Sequence, residues 1–205
     1  MAFLGIRITP EVARLLKGID VPGEKESSSE YHITLLCFEE NWPISEIAKA
    51  LEATYDIVSK VKPFSAKTSK ITCFPKREDN PCPIIAKVES KELHDLRDKL
   101  AKEFDKCKVD FFKTFKAFKP HITLAYADKE IDDITIDPVE FMIQEIVLWG
   151  GDHGDDRIFI TFPLKGPEKH KHSFLLQKVE LFEKLANNPE QDHLTTSYER
   201  RKIER

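Results

Sequence analysis

The chain has 205 residues, of which 40% are hydrophobic and 33% charged, enough apolar material to bury a sizeable core and too much for wholesale disorder. Its formal net charge of -4 excludes the global basic field of a non-specific nucleic-acid binder, so a nucleotide would have to be met by a local cluster of positive groups. No apolar run approaches the roughly 20 residues that a membrane span requires. The apolar start, Met1 to Ile8, is too short for a signal h-region and is interrupted by Arg7. Cys37, Cys73, Cys82 and Cys107 form no C-x-x-C pair, which points to a reduced, intracellular, cytoplasmic setting.

In chain order, Phe3 to Ile8 reads as a strand, and Thr9-Pro10-Glu11 as a helix start with Thr9 at the N-cap. Gly23 to Glu30 is a polar loop, and Tyr31 to Phe38 a second strand. Ile44, Ile47, Ala48, Leu51, Tyr55 and Val58 have the spacing of an amphipathic helix across Pro43 to Val58, and Phe64 to Phe74 alternates as a strand. Pro83 to Val88 is the next strand, and Ser90 caps a helix through Leu93, Leu96, Leu100 and Phe104. Phe118 to Tyr126, Phe141 to Trp149 and Arg157 to Leu164 are further strands, the last two separated by a turn from Gly150 to Gly154.

The order of elements repeats, which divides the repeated region, residues 1–164, into lobes of about 1–76 and 81–164 joined by the charged segment Lys76 to Asn80. Residues 165–205 read as an addition: a linker from Gly166 to His172, a helix over Phe174 to Leu185, and a polar tail from Asn187. The pattern implies an α+β class, a bilobal duplicated fold with two antiparallel sheets around a central cleft and helices on the outer faces.

The two halves share one tetrapeptide, His32-Ile33-Thr34-Leu35 and His121-Ile122-Thr123-Leu124. Strand side chains alternate, so Ile and Leu enter the core while His and Thr line a groove. A two-fold relation would set the two imidazoles across one cleft, each beside a hydroxyl. That set suits metal-free cleavage of a phosphodiester. One neutral imidazole takes a proton from water or a ribose hydroxyl, and the other, protonated, donates to the leaving oxygen. The hydroxyls would bind the non-bridging oxygens.

Tyr31-His32-Ile33-Thr34-Leu35, taken with Phe118-Lys119-Pro120-His121-Ile122-Thr123-Leu124-Ala125, resembles the two signature strands of the 2H phosphoesterase superfamily. That superfamily includes RNA 2′,3′-cyclic phosphodiesterases (also called 2′-5′ RNA ligases), cyclic phosphodiesterases and phage enzymes that degrade cyclic oligonucleotide alarms. The resemblance covers roughly residues 1–164. It implies hydrolysis or ring opening at a ribose phosphate, with His32 and Thr34 in the first motif and His121 and Thr123 in the second. It also implies the first histidine as proton donor and the second as acceptor. After the second motif the RNA cyclic phosphodiesterases commonly carry a basic residue, whereas Tyr126 stands here.

Lys113, Lys116 and Lys119 alternate with Phe112, Phe115 and Phe118 before the second motif, a pattern for a basic lip with aromatic surfaces or, more plainly, for a loop or strand edge with phenylalanines packed inward and lysines solvated. Lys119 is the best single candidate for a phosphate contact, and Tyr126 joins it as a substrate-binding candidate. His153-Gly154-Asp155-Asp156 and His170-Lys171-His172 lack the ligand number of a zinc site, and His94 reads as a helix surface residue. No metal and no cofactor are therefore expected. The expected partner is a nucleotide or short RNA, with no membrane and no long duplex DNA, and nothing names a protein partner for the tail. The function expected is hydrolysis of a 2′,3′-cyclic phosphate, a 2′-5′ linkage or a cyclic oligonucleotide. The alternatives are ligation by the reverse reaction and a catalytically silent nucleotide- or RNA-binding module.

Overall fold

The structure, a computed structural model, describes residues 2–38, 44–76, 80–113, 117–150 and 158–165. Ten strands and three α-helices are formed by these residues: β1 (Phe3–Arg7), α1 (Pro10–Lys17), β2 (Glu24–Lys25), β3 (His32–Cys37), α2 (Ile44–Val58), β4 (Phe64–Cys73), β5 (Cys82–Glu89), α3 (Lys91–Cys107), β6 (His121–Ala127), β7 (Ile134–Thr135), β8 (Glu140–Ile143), β9 (Glu145–Gly150) and β10 (Ile158–Pro163). The helix and tail expected beyond residue 165 lie outside the described residues.

Local chemistry starts and stops the helices. Pro10 occupies the first turn of α1, where its missing N–H has no partner to lose. Ser90 is extended ahead of α3, and its Oγ accepts the Leu93 N–H. Lys108 closes α3 in the left-handed region at φ 56°. The helices bury one face each: Val12, Ala13 and Leu16 from α1, and Leu93, Leu96, Leu100, Ala101 and Phe104 from α3. Phe38, Phe104 and Phe162 are the largest fully buried side chains.

The strands form two sheets. The first has the order β10-β9-β1-β3; the second has β2-β6-β5-β4, with β7 and β8 both pairing along β4. All of the pairings are antiparallel. The sheets do not follow the expected lobe boundaries. β4, from the first half of the sequence, lies in the second sheet, while β9 and β10, from the second half, close the first. The expected single strand Phe141 to Trp149 is in fact β8 and β9, one in each sheet, broken at Gln144. Gln144 and Glu145 are adjacent polar residues that interrupt the two-residue alternation, and the Gln144 carbonyl accepts the Leu164 N–H, carrying the β9–β10 register one residue past the strand ends. The chain changes sheets there.

The repeated unit is β1–α1–β3 against β5–α3–β6. Its likeness extends to an irregularity. Arg7, Ile6 and Gly5 pair with His32, Ile33 and Thr34, after which Leu4 pairs with Leu36, leaving Leu35 as a bulge. Lys87, Ala86 and Ile85 pair with His121, Ile122 and Thr123, after which Ile84 pairs with Ala125, leaving Leu124 as the bulge. The last residue of each His-Ile-Thr-Leu run is thus the extra residue, and a bulge re-aims the side chains beside it.

The loops cross over as well. After α1 the chain reaches β6, where β2 pairs with Tyr126 and Ala125 and Glu26 N–H donates to the Leu124 carbonyl at 2.8 Å. After α3 the chain reaches β3, where Phe112 N–H donates to the Cys37 carbonyl at 2.9 Å. Tyr126 and Cys37 are each the fifth residue beyond their histidine.

Candidate functional site

β3 and β6, the two histidine strands, lie against each other where the sheets meet. Ile33, Leu35, Ile122 and Leu124 are buried, as the alternation requires, while His32, Thr34, His121 and Thr123 are half-buried on the opposite face. The four motif residues are thus set off from the core on two neighbouring strands.

Both imidazoles are held in the same way. His32 Nδ1 lies 2.6 Å from the Glu30 carbonyl oxygen, and His121 Nδ1 lies 2.6 Å from the Lys119 carbonyl oxygen. A carbonyl only accepts, so each Nδ1 carries a proton and donates it, leaving Nε2 as the atom that exchanges protons with a ligand. Burial lowers the His121 pKa; the Lys119 carbonyl opposes this, and the charge of His32 adds to the lowering. His32 is therefore within electrostatic reach of His121.

Aromatic rings back each histidine. His32 stacks on Phe3 with centroids 4.5 Å apart and meets Trp149 at 5.3 Å. His121 receives Phe74 edge-on at 4.7 Å. Trp149 pairs with Phe3 across β9 and β1, and Phe74 N–H donates to the Pro83 carbonyl, so Trp149 and Phe74 hold equivalent places in the two sheets. Phe3 reaches His32 by lying over Gly5: a Cβ there would fall 2.6 Å from the Ile33 carbonyl oxygen and 3.2 Å from the Phe3 ring. None of Phe3, Gly5, Phe74 and Trp149 stood out in the sequence. The signal present was the alternation of Phe3, Gly5 and Arg7 on one face of β1 against Leu4 and Ile6 on the other.

The remaining candidates separate. Lys119 precedes Pro120, outside β6, so strand alternation does not place its side chain; the side chain is exposed, and the backbone carbonyl is what orients His121. Tyr126 is half-buried opposite Pro83 on the face that carries His121. Lys113 pairs with Asp105 at 2.5 Å and lies over the Phe111 ring, while Phe118 packs against His94 and Arg97. The lysine–phenylalanine lip is therefore not assembled by these residues; Phe115 and Lys116 lie outside the described residues, as do His153, His170 and His172.

Two half-buried histidines thus stand on twin bulged strands of a two-sheet α+β fold, each with a threonine two residues on. Comparison with known proteins gives the class. A family model described as the 2′-5′ RNA ligase superfamily matches residues 25–155, and the chain belongs to that superfamily. Among solved structures, TT0787 of Thermus thermophilus is similar with a TM-score of 0.63 at 22% identity, covering 80% of this chain and 98% of that one. E. coli LigT complexed with 3′-AMP has a TM-score of 0.55 at 17% identity, covering 80% and 94%. E. coli LigT complexed with NADP+ has a TM-score of 0.54 at 17% identity, with the same coverages of 80% and 94%. No curated protein matches the chain by sequence.

Proposed function

We propose that the chain is a metal-independent phosphodiesterase acting on a nucleotide or RNA phosphodiester, either a 2′,3′-cyclic phosphate, a 2′-5′ linkage or a cyclic oligonucleotide. The observation that carries this reading is the paired orientation of the histidines, each Nδ1 bonded to the carbonyl two residues before it. That arrangement supports His121 as proton acceptor, because burial and the charge of His32 favour its neutral form. His32 then protonates the leaving oxygen, and Thr34 and Thr123 hydrogen-bond the non-bridging oxygens. Tyr126, on the strand face that carries His121, and Lys119, exposed just ahead of that strand, are the substrate-binding candidates on this side. The LigT complexes with NADP+ and 3′-AMP are in keeping with a nucleotide ligand here.

The test is turnover of 2′,3′-cyclic nucleotides, 2′-5′-linked dinucleotides and cyclic oligonucleotides in EDTA, with His32→Ala and His121→Ala beside the wild type. Cleavage that survives EDTA and falls at least ~100-fold in both variants is expected. Loss in only one variant counts against the paired mechanism.

A further inference from the structure

Each motif histidine has a basic residue directly across the strand pair. Arg7 is the Cα partner of His32, and Lys87 is the Cα partner of His121. Directly opposed residues of an antiparallel pair share a face, with Cβ atoms about 4.5–5.5 Å apart. Both cations therefore start beside an imidazole on the cleft face, and both are exposed.

The rest of that face has diverged between the sheets. Phe3 stands where Pro83 does, Gly5 where Ile85 does, and Trp149 where Phe74 does. Shape has changed at these places, but the positive charge beside each histidine has not. The twin motif itself is the other part that is kept.

Carboxylates lie close to both cations. Lys87 Nζ is 3.5 Å from Glu89 Oε1, an exposed pair. Arg7 lies near enough to Glu145 to counter the upward push of burial on that carboxyl. A guanidinium has five N–H donors and an ammonium three, so each cation can serve a carboxylate and a phosphate oxygen together. Tyr126, at the position after the second motif, supplies no charge, whereas Arg7 and Lys87 each bring one to the face.

We propose that Arg7 and Lys87 form a phosphate clamp, one cation from each sheet, that binds the two non-bridging oxygens of a phosphodiester held between His32 and His121. The proposal rests on the reading of this cleft as a phosphodiester site and adds residues that bind the anion. Guanidinium and ammonium contacts to phosphate are charge-assisted and among the stronger hydrogen bonds. Their place on opposite sides of the cleft would centre the phosphorus between the proton donor and the acceptor.

The test uses inorganic phosphate and reads the His32 and His121 Cε1–H resonances in Arg7→Gln, Lys87→Gln and the double variant. Arg7→Lys and Lys87→Arg control for folding and shape. Each single Gln variant is expected to weaken phosphate binding about tenfold, and the double variant more, with the charge-conserving variants near wild type. Wild-type affinity in both Gln variants overturns the clamp, as does a wild type whose histidines do not respond to phosphate. A protein that binds phosphate through Arg7 and Lys87 but cleaves no diester upholds the clamp and overturns only the hydrolase reading.

Discussion

His121 is shifted toward its neutral form first by burial and further by the charge of His32, against the bond to the Lys119 carbonyl. A proton acceptor works only when neutral, so its activity is lost as pH falls through its pKa. With that pKa below the roughly 6.5 of free imidazole, the acidic limb of kcat/KM should lie below the usual histidine range. Replacing His32 with Gln removes a positive neighbour and should raise the His121 pKa, read by its NMR titration; an unchanged value would contradict coupling across the cleft. Gly5 gives a second residue-scale prediction. A methyl there meets the Ile33 carbonyl and the Phe3 ring, so Gly5→Ala should destabilise the fold by about 1–3 kcal/mol and loosen the stack on His32. Thermal unfolding and kcat measure the two effects, and a fully active, equally stable variant would show that Phe3 does not position the imidazole. His32, Thr34, His121 and Thr123 were legible because the motif is duplicated. Phe3, Gly5, Phe74 and Trp149 were not, since their contacts arise from cross-strand register and from side chains that lean over a neighbour.

The elements of the site are positioned by their ends and irregularities. Ser90 Oγ accepts the Leu93 N–H and donates to the Ser65 carbonyl at 3.0 Å, tying α3 to β4. Ser90→Ala should cost about 1 kcal/mol in denaturant melts while leaving turnover intact, because α3 holds no motif residue. Gly23 has φ 93°, and a Cβ there would lie 2.2 Å from the Tyr126 carbonyl oxygen. Gly23→Ala should therefore detach β2 from β6, raising amide exchange at Glu24 to Glu26 ahead of the amides of β6. Unchanged protection would show that this contact does not fix the edge. Most helices and strands were visible in the sequence through apolar spacing and through Pro10 and Ser90. The bulges at Leu35 and Leu124 were not, because an extra residue in one strand is defined only by its partner. The break at Gln144 left a trace, two adjacent polar residues, that a single apolar run concealed.

At the scale of the molecule, duplication and interleaving act together. The sequence order suggested two consecutive lobes, but each sheet takes strands from both halves, and each loop after α1 or α3 borders the other histidine strand. Neither 1–76 nor 81–164 owns a complete sheet, since β9 and β10 are needed beside β1 and β4 is needed beside β5. The two fragments should not fold when expressed apart, and the whole chain should unfold in one transition with coincident spectroscopic probes. Two separated transitions would contradict that. Interleaving also ties the sheets to each other through the chain itself, which passes from β8 in one to β9 in the other at Gln144. Pairing of this kind depends on contacts distant in sequence, which is why the repeat was legible and the exchange was not.

The most direct test of the central claim is the rate of phosphodiester cleavage in EDTA by the wild type, His32→Ala and His121→Ala, with folding of each verified. Two proton-transfer groups acting as a pair predict cleavage that persists in EDTA and collapses in both variants. Cleavage abolished by EDTA, or retained by either variant, would contradict it.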